Sequence, residues 1–270
     1  MTVSGSVSTR NGVIFAFLAY TMWGLFPLYF KLLKAVSPVE ILSHRVIWSL
    51  AVMVVILLVK RHWAWLWALR TQPRVVGRYA ASTALLAANW LTYIWAVNHD
   101  HVLDASLGYF INPLVVVMLA ALVLGERLRP VQWVSVALAA AGVAWLTWQA
   151  GTLPWIALAL AVSFGFYGLL RKTSPLGALE GLTLETLLLF PLALAYLGWL
   201  AAQQQNAFLA ASPGMQLLLA LAGPLTALPL LLFGAGARRI PLSLLGTFLG
   251  LSWIGIPANL LSLGAMDFGI

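Results

Sequence analysis

The chain has 270 residues, of which 62% are hydrophobic and only 8% charged, and its mean hydropathy is +0.96. Soluble domains carry about a quarter charged residues and avoid broad exposed apolar patches, so this composition excludes a water-soluble globular enzyme. The net charge of +8 marks no nucleic-acid binder, because no basic patch is interleaved with surface aromatics, and the absence of cysteine excludes disulfides and thiolate sites.

In chain order, residues 1–12 read as a short polar cytoplasmic tail with Arg10 as its charge. The apolar run that follows has no convincing cleavage site and reads as a retained first span. A helix needs about 20 mostly apolar residues to cross the hydrocarbon core. Such segments occur at about 13–30, 42–59, 79–97, 105–124 and 131–148. Turn residues Gln149-Ala150-Gly151-Thr152-Leu153-Pro154 then separate four more, at about 153–170, 181–201, 215–235 and 240–264. The connections are too short for a soluble domain. The expectation is one all-α integral membrane bundle of about nine spans.

With the N-terminus in the cytoplasm, all of the 15 basic residues except Lys31, Lys34 and Arg45 fall in inside segments, Arg171 and Lys172 included. The positive-inside rule therefore orients the chain with its N-terminus in the cytoplasm.

Leu107-Gly108-Tyr109-Phe110 recurs as Leu245-Gly246-Thr247-Phe248, 138 residues later. At that offset Trp90 meets Leu228, Trp95 meets Phe233 and Ala96 meets Gly234. At an offset of 141, Trp23-Gly24 matches Phe164-Gly165, Lys31 matches Lys172, and His44 falls on Glu185. The common order predicts two five-span units, a first over 13–148 and a second, incomplete one over 153–270. Five is odd, so the second unit enters from the opposite side: an inverted repeat, an architecture of secondary transporters.

These residues also resemble a known family. Ala19-Tyr20-x-x-Trp23-Gly24, Pro27-x-Tyr29-Phe30-Lys31, Glu40-Ile41-Leu42-x-His44-Arg45, Asn89-Trp90 and Ala105-Ser106-Leu107-Gly108-Tyr109-Phe110-Ile111-Asn112-Pro113-Leu114 are similar to the RarD-type permeases, as is Gly125-Glu126-Arg127. These are EamA-domain members of the drug/metabolite transporter superfamily. The resemblance covers about residues 10–248. It implies ten helices in two EamA repeats, a bacterial inner membrane and transport of a small molecule. The family pattern after Gly246-Thr247-Phe248 is an aromatic-Gln-Tyr-x-Gly-Pro segment, a Gly-Glu motif and a tenth helix. This chain instead reads Leu249-Gly250-Leu251-Ser252-Trp253-Ile254-Gly255-Ile256-Pro257, which raises a truncated, non-functional permease as the alternative.

Ionisable and polar groups within spans are costly in lipid and normally face a cavity or a partner. Glu185 is the clearest. It is either a cavity-facing carboxylate that binds a cationic group or a coupling proton, or a buried carboxylate tied to a neighbouring helix. His44 and Glu40, four residues apart, share a helix face, and His44 could exchange protons near neutral pH. Glu40 and Arg45 read as an ion pair anchoring the span. Tyr20, Trp23, Asn89, Tyr93, Tyr109 and Asn112 form a candidate aromatic and amide wall for planar amphipathic molecules, against the alternative of interface anchors and helix joints. Gly108 and Pro113 are candidates for a kinked, mobile segment. His99, Asp100, His101 and Asp104 read as a solvated loop rather than a zinc site, and Glu126 is expected to pair with Arg127 or Arg129.

The functional expectation is a secondary transporter of small organic metabolites or drugs, cycling by alternating access. Its partners would be the lipid bilayer, a small-molecule substrate, a coupling proton and, as an allowed assembly, a second copy in a homodimer. No metal, cofactor or nucleic acid is expected, and no Gly-rich phosphate loop supports ATP-driven transport. A channel ranks below a transporter. An intramembrane enzyme ranks lower still, since neither His-Glu-x-x-His nor Gly-x-Ser-x-Gly occurs.

Overall fold

A computed structural model describes residues 3–99, 101–128, 130–151 and 153–245 of the chain. Among these residues every regular element is an α-helix. They are α1 (Val3–Gly24), α2 (Phe26–Leu32), α3 (Pro38–Lys60), α4 (Ala64–Leu69), α5 (Pro73–Asn98), α6 (Val102–Leu124), α7 (Pro130–Ala150), α8 (Trp155–Thr173), α9 (Ala178–Ala202), α10 (Ala207–Ala210) and α11 (Pro213–Ala237).

Eight of these helices have 19 to 26 residues. At about 1.5 Å rise per residue each matches a hydrocarbon core about 30 Å thick. Four of them, α3, α8, α9 and α11, also carry apolar windows with mean hydropathy 2.2, 1.3, 1.7 and 2.1. Their outward faces carry Leu58, Val59, Leu192, Leu194 and Leu217, which suits contact with lipid tails. The expected span at 240–264 begins with a helical turn at 242–245, and its remainder lies outside the described residues.

The first span departs from expectation at both ends. On the N-terminal side α1 starts at Val3 and carries Arg10 within the helix. The helix then gives way after Gly24, and α2 restarts with Pro27 in its first turn, where the missing N–H leaves no bond unmade. The two short helices α4 and α10 lie in connections where too few residues exist to show a period.

The ends of the long helices follow sequence signals. Ser37 caps α3 by accepting from the Glu40 N–H, with Pro38 next in line, and Ser212 caps α11 in the same way with Pro213 following. Gly125 ends α6 in the left-handed region (φ 64), a conformation glycine adopts without Cβ strain, and so sets the direction of Glu126.

Packing between the long helices has a two-fold pattern. α1 packs on α11 as α8 packs on α5; α3 packs on α11 as α9 packs on α5; and α3 packs on α9. Exchanging α1 with α8, α3 with α9 and α5 with α11 leaves this set unchanged. The mates α3 and α9 run antiparallel. Glu40, at the start of α3, accepts from the Ala207 N–H just beyond α9, and His62, just beyond α3, reaches Glu180 in the first turn of α9. Antiparallel mates define an inverted repeat. Trp23 and Phe164, matched in sequence at the offset of 141, meet with ring centroids 5.5 Å apart.

Candidate functional site

Three helices bring ionisable groups together inside the bundle. On α8, Tyr167 and Arg171 are four residues apart and share a face. On α5, Tyr79 and Ser82 do the same three residues apart, and α9 supplies Glu185. The Glu185 side chain is 1% exposed and that of Arg171 is 2% exposed, so both are withdrawn from water and lipid alike. Ser82 Oγ donates a short hydrogen bond to Glu185 Oε1, and Tyr167 Oη donates to Oε2 at 3.4 Å. Arg171 Nη1 stands 3.9 Å from Oε1, an ion pair rather than a hydrogen bond. The guanidinium also donates through Nη2 to the Ala178 carbonyl at 3.1 Å, and its Cζ lies 5.9 Å from the centre of the Tyr79 ring.

Arg171, counted by sequence among the exposed cations that orient the bundle, is therefore a buried partner of Glu185. Its position four residues after Tyr167 is the one signal that could have placed it there. Nothing local in the sequence joins it to Ser82.

Beside this cluster lies an aromatic assembly. Tyr20 and Trp23 from α1 join Phe164 and Tyr167 from α8 and Phe233 from α11, with ring centroids 5.3 to 6.2 Å apart. Offset and edge-on rings at this spacing attract one another beyond the area they bury. Tyr167 belongs to both groups, so the aromatic wall and the carboxylate are contiguous.

The remaining candidates go elsewhere. Asn89 Nδ2 donates to the Leu160 carbonyl at 2.9 Å and to Ser163 Oγ at 3.0 Å, joining α5 to α8. Tyr93 is half-buried and packs 6.2 Å from Phe30. His44 is buried with its ring 5.0 Å from Phe208, and its Nε2 has no hydrogen-bond partner among the described residues. Asn112 is buried in α6. The side chain of Tyr109 and all of Asp100 lie outside the described residues. Gly108 serves close packing: a Cβ there would stand 3.1 Å from the Leu160 Cβ on α8. α6 runs on through Pro113 as one helix to Leu124. His101 Nδ1 lies 2.9 Å from Asp104 Oδ2, both half-exposed, at the start of α6.

Two expected ion pairs are replaced by other contacts. Glu40 and Arg45 do not anchor each other: Glu40 caps Ala207 at 2.7 Å, while Arg45 Nε donates to Thr226 at 2.9 Å with its Cζ 4.3 Å from the Trp90 ring centre. They are five residues apart, about 140° around a helix, so they leave α3 towards different neighbours. Glu126 likewise turns from the flanking arginines to the distant helical turn that begins at 242. It accepts from the Leu242 and Ser243 N–H groups at 3.0 and 3.2 Å and from Ser243 Oγ at 2.9 Å. Free N–H groups at a helix start favour a carboxylate over an exposed guanidinium. Lys172 stands 4.0 Å away and donates to the Ile240 carbonyl at 2.8 Å. Removing this cap with Glu126→Ala is expected to cost about 1–2 kcal/mol. Thermal unfolding of the purified protein checks this, and an unchanged midpoint would deny the carboxylate a capping role.

Apolar helices in an inverted two-fold packing, with a buried ion pair beside the helix mates, define a multi-pass membrane protein. The family model described as the EamA-like transporter family matches residues 10–148. Protein RarD of Streptomyces exfoliatus is 51% identical over 237 residues, covering 88% of this chain and 75% of that protein. Protein RarD of Escherichia coli is 48% identical over 241 residues, covering 89% and 81%. A solved crystal structure shares the fold with a TM-score of 0.65 at 19% identity, covering 96% of this chain and 89% of that one. The chain belongs to the EamA-like transporter family. Its place is therefore among membrane permeases of the drug/metabolite transporter type.

Proposed function

We propose that the chain is a secondary active transporter of small organic metabolites or drugs. It resides in a bacterial inner membrane with its N-terminus in the cytoplasm, and two inverted units alternate access to a site between them. Glu185 carries the coupling proton. The observation that supports this reading is the burial of Glu185 at the junction of α5, α8 and α9, one mate of each helix pair being present there. Arg171 already holds the position that a substrate cation would need, which favours the proton over a cationic group as the ligand of Glu185. A neutralised carboxylate also crosses the low-dielectric interior at far lower cost than a charged one.

Uptake into vesicles reconstituted with the purified chain, screened against a metabolite and drug panel, tests the reading. Wild-type uptake should saturate and respond to an imposed pH gradient, while Glu185→Gln should lose the response to pH. PH-driven uptake that is the same in both proteins would remove Glu185 from coupling, and uptake without saturation would point to a channel.

A further inference from the structure

Arg171 is held in a slot flanked by two glycines. A Cβ on Gly181 of α9 would strike Nη1 and would stand 2.7 Å from the Tyr79 hydroxyl, and a Cβ on Gly234 of α11 would stand 2.6 Å from Nη2. Glycine inside a helix is unfavourable, so two of them around one guanidinium mark a close approach that the fold retains. Within this slot the guanidinium is under-used. Nη2 has the Ala178 carbonyl, but among the described residues Nε and Nη1 make no hydrogen bond, and neither does the Tyr79 hydroxyl beside them. Buried donors without acceptors are rare in native proteins and call for an explanation. Glu185 does not supply the acceptor: its oxygens are engaged by Ser82 and Tyr167, and it stands off at 3.9 Å.

We propose that Arg171 and Tyr79 form the anion subsite of this transporter, taking the carboxylate of a small organic acid when Glu185 is protonated. The proposal rests on the proton role of Glu185 given above. A guanidinium N–H and a tyrosine hydroxyl can each donate to one oxygen of a carboxylate, and Nη1 and the Tyr79 hydroxyl, which lie together beside Gly181, are two donors so placed. The charges balance at each stage. In the empty state the Arg171 cation faces the Glu185 anion. In the loaded state the proton sits on Glu185, the ion pair is broken, and the Arg171 cation faces the substrate anion. Both states are neutral, whereas loading either the proton or the anion alone would leave a net charge in a low-dielectric interior. One proton therefore accompanies one monocarboxylate, and the cycle moves no net charge. Among the described residues the titratable groups facing Glu185 are Tyr79 from α5 and Tyr167 and Arg171 from α8; α3 and α11, which also pack on α9, contribute none to its hydrogen bonds or ion pairs. On α9 itself Glu180 is engaged by His62 at 2.8 Å.

The probes are acetate, lactate, benzoate and indole-3-acetate, each paired with its amide, and the readout is the unfolding midpoint of the purified full chain in detergent. At least one carboxylate should raise the midpoint, at concentrations about tenfold lower at pH 5.5 than at pH 7.5, and no amide should. Glu185→Gln should bind that carboxylate equally at both pH values. Arg171→Lys, which keeps the charge but loses the guanidinium, should bind it about tenfold more weakly. The anion subsite is overturned if an amide matches its acid, if Arg171→Lys binds as wild type does, or if no carboxylate binds the folded wild type. If a carboxylate binds Glu185→Gln with the wild-type pH dependence, the subsite stands and the proton role of Glu185 falls. If vesicles take up a neutral compound in a pH-driven manner while no acid binds, the transporter reading stands and the subsite falls.

Discussion

Replacing Arg171 by leucine is expected to destabilise the protein by about 3–5 kcal/mol, because Glu185 is then a buried anion with no cation beside it. The same logic predicts a smaller effect for Glu185→Gln. The amide oxygen can still accept from Ser82, and Arg171 keeps the Ala178 carbonyl and the face of Tyr79. The double variant Arg171→Leu, Glu185→Gln should recover most of the loss, since removing both members of a buried pair is often neutral. A double-mutant cycle on equilibrium unfolding in mixed micelles reads the coupling between the two directly. Strictly additive effects would mean that the 3.9 Å separation carries no interaction, and the two residues would then have to be explained separately.

The same pair shows why part of the site was legible in the sequence and part was not. Glu185 stood out because a lone carboxylate among Leu182, Thr183, Leu184, Thr186 and Leu187 has no local reason to be there. Arg171 did not, because a cation beside Lys172 at the end of an apolar run looks like any membrane-flanking charge. Its burial comes from Gly181 and Gly234, on two helices that are remote in sequence and whose contact no periodicity announces. Tyr20 and Trp23 were singled out from the sequence, and Phe164 as a repeat mate of Trp23. That the mates Trp23 and Phe164 touch follows only from the inverted packing. Spans were legible because lipid demands about 20 apolar residues whatever the neighbours are. The helical start at Val3 was not, since those polar residues carry no such signal. Glu40 and Glu126 were read as partners of nearby arginines, yet both carboxylates instead accept from backbone N–H groups of a distant connection. Sequence proximity favours the nearest opposite charge, whereas an exposed ion pair is worth little and a helix-start N–H that lacks an acceptor is costly.

Gly223→Ala is expected to lower stability by about 1–3 kcal/mol, the range for forcing a methyl group into a filled interior. On α11, Gly223 faces the main chain of α3: an added Cβ would overlap the carbonyl carbon and Cβ of Trp48 and stand 2.6 Å from its carbonyl oxygen. A backbone carbonyl within a helix has no rotamer to yield. The two helices would therefore have to separate, and Ser49 would lose the bond it donates to the Gly223 carbonyl at 3.1 Å. A control comes from the same class of residue in the neighbouring helix. Gly198 of α9 is exposed, with none of the described residues within 4 Å of where a Cβ would lie, so Gly198→Ala should gain about 0.5–1 kcal/mol from helix propensity alone. Both are glycine-to-alanine changes in a helix interior, so propensity gives them the same sign and only the distance to α3 separates them. Unfolding midpoints that rise for both variants would show that α3 and α11 do not meet as closely as the Gly223 contact requires.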